Sequence, residues 1–230
     1  MSPTPLHEAS CEELARRAQG GSEICFAALV ERYEARIMGF VLRRCASASD
    51  AEDATQDTFV RAWRMLHRYD PSRRFSPWLF TLAARAAQEA NRGASRRARH
   101  EAESARLSRP EPRDLGDLAD DRAGNAAEVR RVWGVADRVL SAEQRALLWL
   151  RFVEGLSAAE AGAAMGKSEV GVRVSVFRAR QRLAEALAAE DLARPSAGAA
   201  ASASECERAP RSGGLSGVAS GRRTVSGGAR

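Results

Sequence analysis

Residues 154–183 read EGLSAAEAGAAMGKSEVGVRVSVFRARQRL, and the fold turns on how this stretch is parsed. Ser157 with Glu160 three residues later is the pattern of a capping box, in which side chain and backbone satisfy each other's free donors at a helix start. Met165 and Gly166 end that short helix, and Ser168 opens the next. The spacing predicts a helix-turn-helix. Ala158, Ala159, Ala161, Ala163 and Ala164 keep the first helix thin enough for the second to pack closely. In the second helix Val172, Val176, Ala179 and Leu183 recur at steps of four, three and four, which makes one buried stripe. Arg173, Arg178, Arg180 and Arg182 fall largely outside it, with Ser175 near the front of the helix. A helix that enters the major groove puts N-terminal residues at base edges and arginines on the flanking phosphates. Ser168, Gly171, Arg173, Ser175, Arg178 and Arg182 are therefore the candidate contacts to duplex DNA. A plain helical hairpin with a solvated basic face would share the charge, but not the coincidence of cap, turn and charge.

Working outward, Val129, Val132, Trp133, Ala136 and Leu140 predict a helix before this motif. Ser141 with Gln144 caps another that buries Leu147 and Leu148, with Phe152 as a further candidate. Upstream, residues 93–127 hold two prolines, few large apolar residues and balanced charge, the composition of a polar linker. Four helices are expected before it. Ser10 with Glu13 caps the first, and Gly20-Gly21 separates it from a second built on Phe26, Leu29, Val30, Tyr33, Ile37, Phe40 and Val41. Ser49 with Glu52 caps a third, with Thr55, Phe59, Trp63 and Leu66 on its core side. A fourth begins at Ser76, with Pro77 at the first helical position. The expected fold is all-α: two small helical domains at 10–92 and 128–189, a linker at 93–127 and a disordered tail at 190–230 rich in Gly, Ser, Ala and Arg.

The 230-residue chain carries a formal net charge of +6, and of its 36 basic residues only Lys167 is lysine. Arginine suits bidentate contact with phosphate and guanine. No apolar run approaches the ~20 residues a bilayer span needs, and no secretory signal is visible, so the expected location is the cytoplasm. Cys11, Cys25, Cys45 and Cys206 are far apart and histidines are few, so neither a metal nor any other cofactor is expected. Cys25 and Cys45 read as buried reduced thiols. No nucleophile or phosphate-loop motif supports an enzyme.

Asp50-Ala-Glu-Asp-Ala-Thr-Gln-Asp57 sets four acids at the start of the third helix. The helix dipole accounts for the first three better than for Asp57. Asp53, Gln56 and Asp57, at i, i+3 and i+4, form one polar patch, read as opposite the Phe59 and Trp63 side and as a docking surface on an otherwise basic protein. Next, Tyr69, Arg73, Arg74, Phe75 and Trp78 combine flat rings with guanidiniums at a loop entering a helix, the materials for holding unpaired bases. Phe75 and Trp78 could equally be core residues anchoring that helix.

These pieces, in this order, resemble the extracytoplasmic-function (ECF) sigma factors of bacterial RNA polymerase. Residues 50–63 look like the family's polymerase-docking helix, 74–85 like its promoter-melting segment, and 140–183 like its DNA-binding fourth region. The resemblance implies core RNA polymerase and promoter DNA, duplex and melted, as partners. It gives Asp53, Gln56 and Asp57 to polymerase, Tyr69, Arg73, Arg74, Phe75 and Trp78 to the melted downstream element, and the helix from Ser168 to the upstream element. It implies an anti-sigma factor as a further partner, and no catalytic activity. Ala86 and Ala90 stand where the family commonly has Asn and Asp, and Gly171 and Ser175 where Thr and Arg are usual. Two other readings share parts of this pattern: a duplex-binding helix-turn-helix regulator that works without polymerase, and a degenerate sigma-like protein that docks on polymerase without initiating.

Overall fold

The computed structural model describes residues 5–104 and 126–193, and these are all helix, turn and short connection, without a strand. The helices are α1 (Cys11–Gln19), α2 (Glu23–Leu42), α3 (Ala48–Met65), α4 (Phe75–Ser104), α5 (Ala126–Val139), α6 (Ala142–Leu148), α7 (Ala158–Met165) and α8 (Glu169–Ala193). A 3-10 turn follows α3 at Leu66–Arg68, and α6 widens into a π turn at Trp149–Val153. Cys206 and the expected tail beyond 193 lie outside the described residues.

The caps account for most boundaries. Ser10 Oγ accepts from Glu13 N, and both Ser141–Gln144 and Ser157–Glu160 form complete capping boxes. Two expected starts are corrected. The α3 cap is Ser47 rather than Ser49, because Ser47 Oγ accepts from Asp50 N at 3.0 Å and donates to the Asp50 carboxylate at 2.6 Å. Helix α4 starts at Phe75, whose N–H donates to the Glu12 carboxylate of α1 at 3.0 Å. Pro77 therefore sits third in the helix, where its missing N–H is still no loss. At its other end α4 runs on to Ser104, so its last turns occupy the first third of the expected linker. The shortage of large apolar residues predicts a break there, but Ser95, Arg96 and Arg97 are exposed, and an exposed stretch of helix needs none.

The first four helices share a core of Leu14, Leu29, Ile37, Phe40, Phe75, Leu79 and Phe80, with Phe40 edge-on to Phe80. Cys25 and Cys45 are buried thiols, as expected. In α3 the inward face is Ala51, Ala54, Thr55, Thr58 and Ala62. Small residues let α3 lie close on α4, and the two threonine hydroxyls donate to Ala51 O and Ala54 O. Trp63 is thereby turned outward, 40% exposed, with one face on Phe26 at 4.9 Å.

The second group of helices has a small core of its own: Ala136, Leu140, Leu148 and Ala179, with Trp133, Val176 and Leu183 against it. Phe152, a candidate for burial, is 59% exposed. The larger core is continuous between the two groups and takes in Leu147, Trp149, Leu150, Leu156 and Val172. Helix α4 lies along α7, and α2 adds the polar and aromatic contacts of the join. Gly39 presents bare backbone to Trp149, and a Cβ there would stand 2.8 Å from the indole. Arg43, 2% exposed, lies over the rings of both Trp133 and Trp149, at 4.1 and 4.0 Å from their centroids, in the corner that the two tilted indoles make with each other. Burial pushes its pKa down to about 10. Two turns before Arg43, Arg36 pairs with the fully buried Glu154 carboxylate, whose pKa burial raises in spite of that pairing.

Removing Arg36 strands that carboxylate. Arg36→Ala should destabilise the chain by about 2–3 kcal/mol, below the usual cost for a fully buried pair because Arg36 keeps part of its surface in water. Arg36→Leu with Glu154→Leu should recover most of the loss. Chemical denaturation of both variants checks this, and equal losses would mean the pair is not what stabilises the join.

Candidate nucleic-acid interface and docking face

On α3, Asp50 is already engaged, by Ser47 and by the Arg97 guanidinium of α4. Asp53 and Gln56 are exposed, and Asp57 is half-exposed and paired with Arg61 at 2.6 Å. Arg61 also bridges to Glu89 of α4 at 2.5 Å, so the patch is tied to the neighbouring helix. Both carboxylates hold the Arg61 guanidinium well above its ordinary range, Glu89 foremost. The patch does not lie opposite Trp63. Positions 53, 56, 57, 60 and 63 follow one helical face, and Val60 (46% exposed) and Trp63 stand beside the acids. An acidic edge with exposed aliphatic and indole groups is the make-up of a protein-binding surface. Counting the helical period from Gln56 would have placed Trp63 on this side.

The loop after α3 is built from its backbone outward. Asp70 accepts from Ser72 N at 3.0 Å and Ser72 Oγ at 2.7 Å, which turns the chain and lowers the Asp70 pKa. Gln19 donates to Leu66 O and Tyr69 O at 2.8 and 2.7 Å. Tyr69, Phe75 and Trp78 pack on one another with ring centroids 5.3–5.5 Å apart. Tyr69 and Phe75 are buried and Trp78 half-buried. Burial, with Glu12 next in effect, raises the Tyr69 pKa to about 12. In this conformation Tyr69 and Phe75 have no free face for a base, because they form the stem that holds the loop. Arg73 is exposed near Asp70, and Arg74 is exposed with Glu160 of α7 at 3.3 Å. Arg85, Arg92, Arg96 and Arg97 continue the positive surface along α4, while Ala86 is buried and Ala90 half-buried.

At the helix-turn-helix, Ala158, Ala161 and Ala164 are buried, and Ala159 and Ala163 face out. The closest approach falls on Gly162, where a Cβ would stand 2.6 Å from Lys167 O. Gly166 completes the turn at φ +65°. Helix α8 then buries Val172 and Ala179 and half-buries Val176 and Leu183. Ser168, Gly171, Arg173, Arg178 and Arg182 are exposed, Arg173 pairing with Glu169 one turn back. Ser168 Oγ accepts from Gly171 N at 3.1 Å and so serves as a cap. Ser175 is half-buried at the edge of the core stripe, turned away from the outer face. That outer face carries Val170, Val174 and Phe177, which the search for polar contacts passed over. They lie half a turn from the core stripe and were findable by that rule alone.

A helix-turn-helix and a basic loop, together with an acidic and apolar docking helix, make a DNA-binding transcription factor with a surface for a protein partner. The family model described as Sigma-70 region 2 matches residues 29–97, and that described as Sigma-70, region 4, matches residues 138–183. RNA polymerase sigma factor CarQ of Myxococcus xanthus is 34% identical over 171 residues, covering 74% of this chain and 94% of CarQ. The ECF RNA polymerase sigma factor BldN of Streptomyces coelicolor is 32% identical over 178 residues, covering 76% of this chain and 65% of BldN. The solved structure of CnrH in complex with the cytosolic domain of CnrY covers 77% of this chain and 97% of that one, at 26% identity and a TM-score of 0.54. The chain belongs to the RNA polymerase sigma factors, in their ECF subfamily. It is a polymerase-binding subunit that recognises promoters.

The Arg61 bridge makes a pH-dependent prediction. Arg61 depresses the Glu89 pKa, so its contribution is present above the ordinary carboxylate range and lost as pH falls through the folded-state value. Glu89→Gln should lower stability at neutral pH by a few tenths of a kcal/mol, as befits an exposed pair. The difference from wild type should begin to shrink as pH falls through the ordinary carboxylate range and vanish only once Glu89 is protonated in the folded chain as well. Parallel denaturation curves at neutral and acid pH decide it.

Proposed function

We propose that the face of Asp53, Gln56 and Asp57, extended by Val60 and Trp63, docks on core polymerase, and that α8 reads the upstream promoter element as duplex. Arg73 and Arg74 hold the melted downstream strand, with Tyr69, Phe75 and Trp78 shaping the loop and Trp78 offering the one partly open ring among them. Such a factor opens DNA without covalent chemistry of its own, by binding unpaired bases better than paired ones. Its place of work is the cytoplasm, alongside polymerase and DNA; no helix among the described residues is long and apolar enough to cross a membrane. The division of labour follows the expected domains, residues 10–92 for docking and melting and 128–189 for duplex reading. An anti-sigma factor is a further partner in this reading, and CnrH was solved in complex with the cytosolic domain of CnrY.

The observation that carries the reading is the pairing of opposite characters on one scaffold: exposed acids on α3 against exposed arginines on the 69–74 loop and α8. A regulator that binds DNA without polymerase has no use for the first. Arg74 must exchange Glu160 for phosphate, which is an even trade of one anion for another.

The test is transcription in vitro, adding the chain to sigma-free core polymerase with fragmented genomic DNA as template. Discrete new start sites sharing two spaced upstream motifs are expected. Asp53→Arg with Asp57→Arg should weaken core binding more than tenfold through like-charge repulsion and abolish those starts. Core binding without starts would favour a modulator, and unchanged binding by the double variant would overturn the docking assignment.

A further inference from the structure

Opposite its buried stripe, α8 exposes a row of apolar side chains that neither the core nor phosphate binding employs. Val170, Val174 and Phe177 are 69%, 43% and 62% exposed. Their spacing of i, i+4 and i+7 puts them on one face, with Gln181 continuing the line. By the same period Arg173 and Arg180 fall to one side of the row, with Glu169 on the first turn, and Arg178 and Arg182 fall to the other. The result is an apolar ridge roughly 10 Å long with guanidiniums on both flanks. A protein partner would meet those cations with acids. A duplex meets them with two rows of phosphates, one on each side of the groove, and the ridge then enters the groove between them.

We propose that Val170 and Val174, with Phe177 beside them, read thymine 5-methyl groups in the upstream promoter element. The proposal rests on the reading of α8 as the duplex-binding helix. Among the base edges in the major groove, the thymine methyl is the apolar feature, and an apolar side chain is its match. A valine cannot donate to or accept from a base, so polar edges opposite it would be desolvated without compensation. At 3.4 Å per base pair the ridge spans about three steps, and thymines on either strand are expected within them. Gly171 has no side chain and Ser175 is half-buried, so neither competes for this face. The arginines at the flanks set position and affinity, while the ridge sets sequence.

The test uses holoenzyme assembled from the full chain and core polymerase, with an upstream element selected from a random duplex library. Each thymidine of that element is then replaced by deoxyuridine, which removes the methyl and nothing else. Wild type should bind about fourfold more weakly for each methyl lost beneath the ridge. Val170→Ser with Val174→Ser should bind thymidine and deoxyuridine duplexes alike. These side chains are exposed, so folding is not at risk, and Val170→Gln with Val174→Gln serves as a second variant of higher helix propensity that offers no methyl. If wild type selects an element yet ignores the methyls, or the variants discriminate as wild type does, the ridge is not the reader. If no upstream element is selected at all, the duplex-reading role of α8 fails and takes the inference with it.

Discussion

The contact of Arg43 with both Trp133 and Trp149 is the one on which the arrangement of the helices depends. A guanidinium is weakly hydrated for a cation and flat, so it can leave water for two indole faces where an ammonium would not. It does so next to Gly39, the place on α2 where bare backbone lets Trp149 approach. A turn away, Arg36 meets the buried Glu154. Together these contacts help hold the second group of helices on α2 and α4, where it buries Leu147, Leu150 and Leu156 in the shared core and keeps four buried residues in a core of its own. A module that small is marginal by itself.

Closure has consequences at both functional faces. It brings Glu160 of α7 to Arg74 of the loop, so one of the arginines assigned to melted DNA meets an acid of the other module. It leaves the α3 acids, Val60, Trp63 and the outer side of α8 exposed. Both ends of the proposed activity therefore remain accessible, and the groups that join the two sets of helices come from α2, α4 and the 149–165 segment.

Much of the chain was legible in order along the sequence. Helix starts at Ser10, Ser141 and Ser157 were readable because a cap is a local hydrogen-bond pattern three residues long. The four-three-four stripe of α8 was readable because burial imposes its period on any helix against a core. Where reading slipped, a partner distant in sequence was responsible. Phe75 starts α4 because Glu12 of α1 receives its N–H. Trp63 turned outward because alanines and threonines, weak signals in a hydrophobic count, form the α3 contact with α4. Tyr69 and Phe75 look equally fit for stacking on bases or on each other, and only their neighbours Tyr33 and Trp78 distinguish the two.

The amino-acid sequence by itself determined an all-α chain, a helix-turn-helix near its C-terminal end, an acidic helix start, and the sigma-factor order of those parts. The first three follow from backbone hydrogen bonding and side-chain period, which act over a few residues, and the order was legible by its resemblance to the family. Tertiary structure alone decided which acids and arginines are spent inside the molecule and which remain for partners. Asp50, Glu154 and Glu160 are taken by Arg97, Arg36 and Arg74, whereas Asp53 and Arg178 are left exposed. No local pattern separates one carboxylate or guanidinium from another, because long-range packing sets the distance between charges and the water around them.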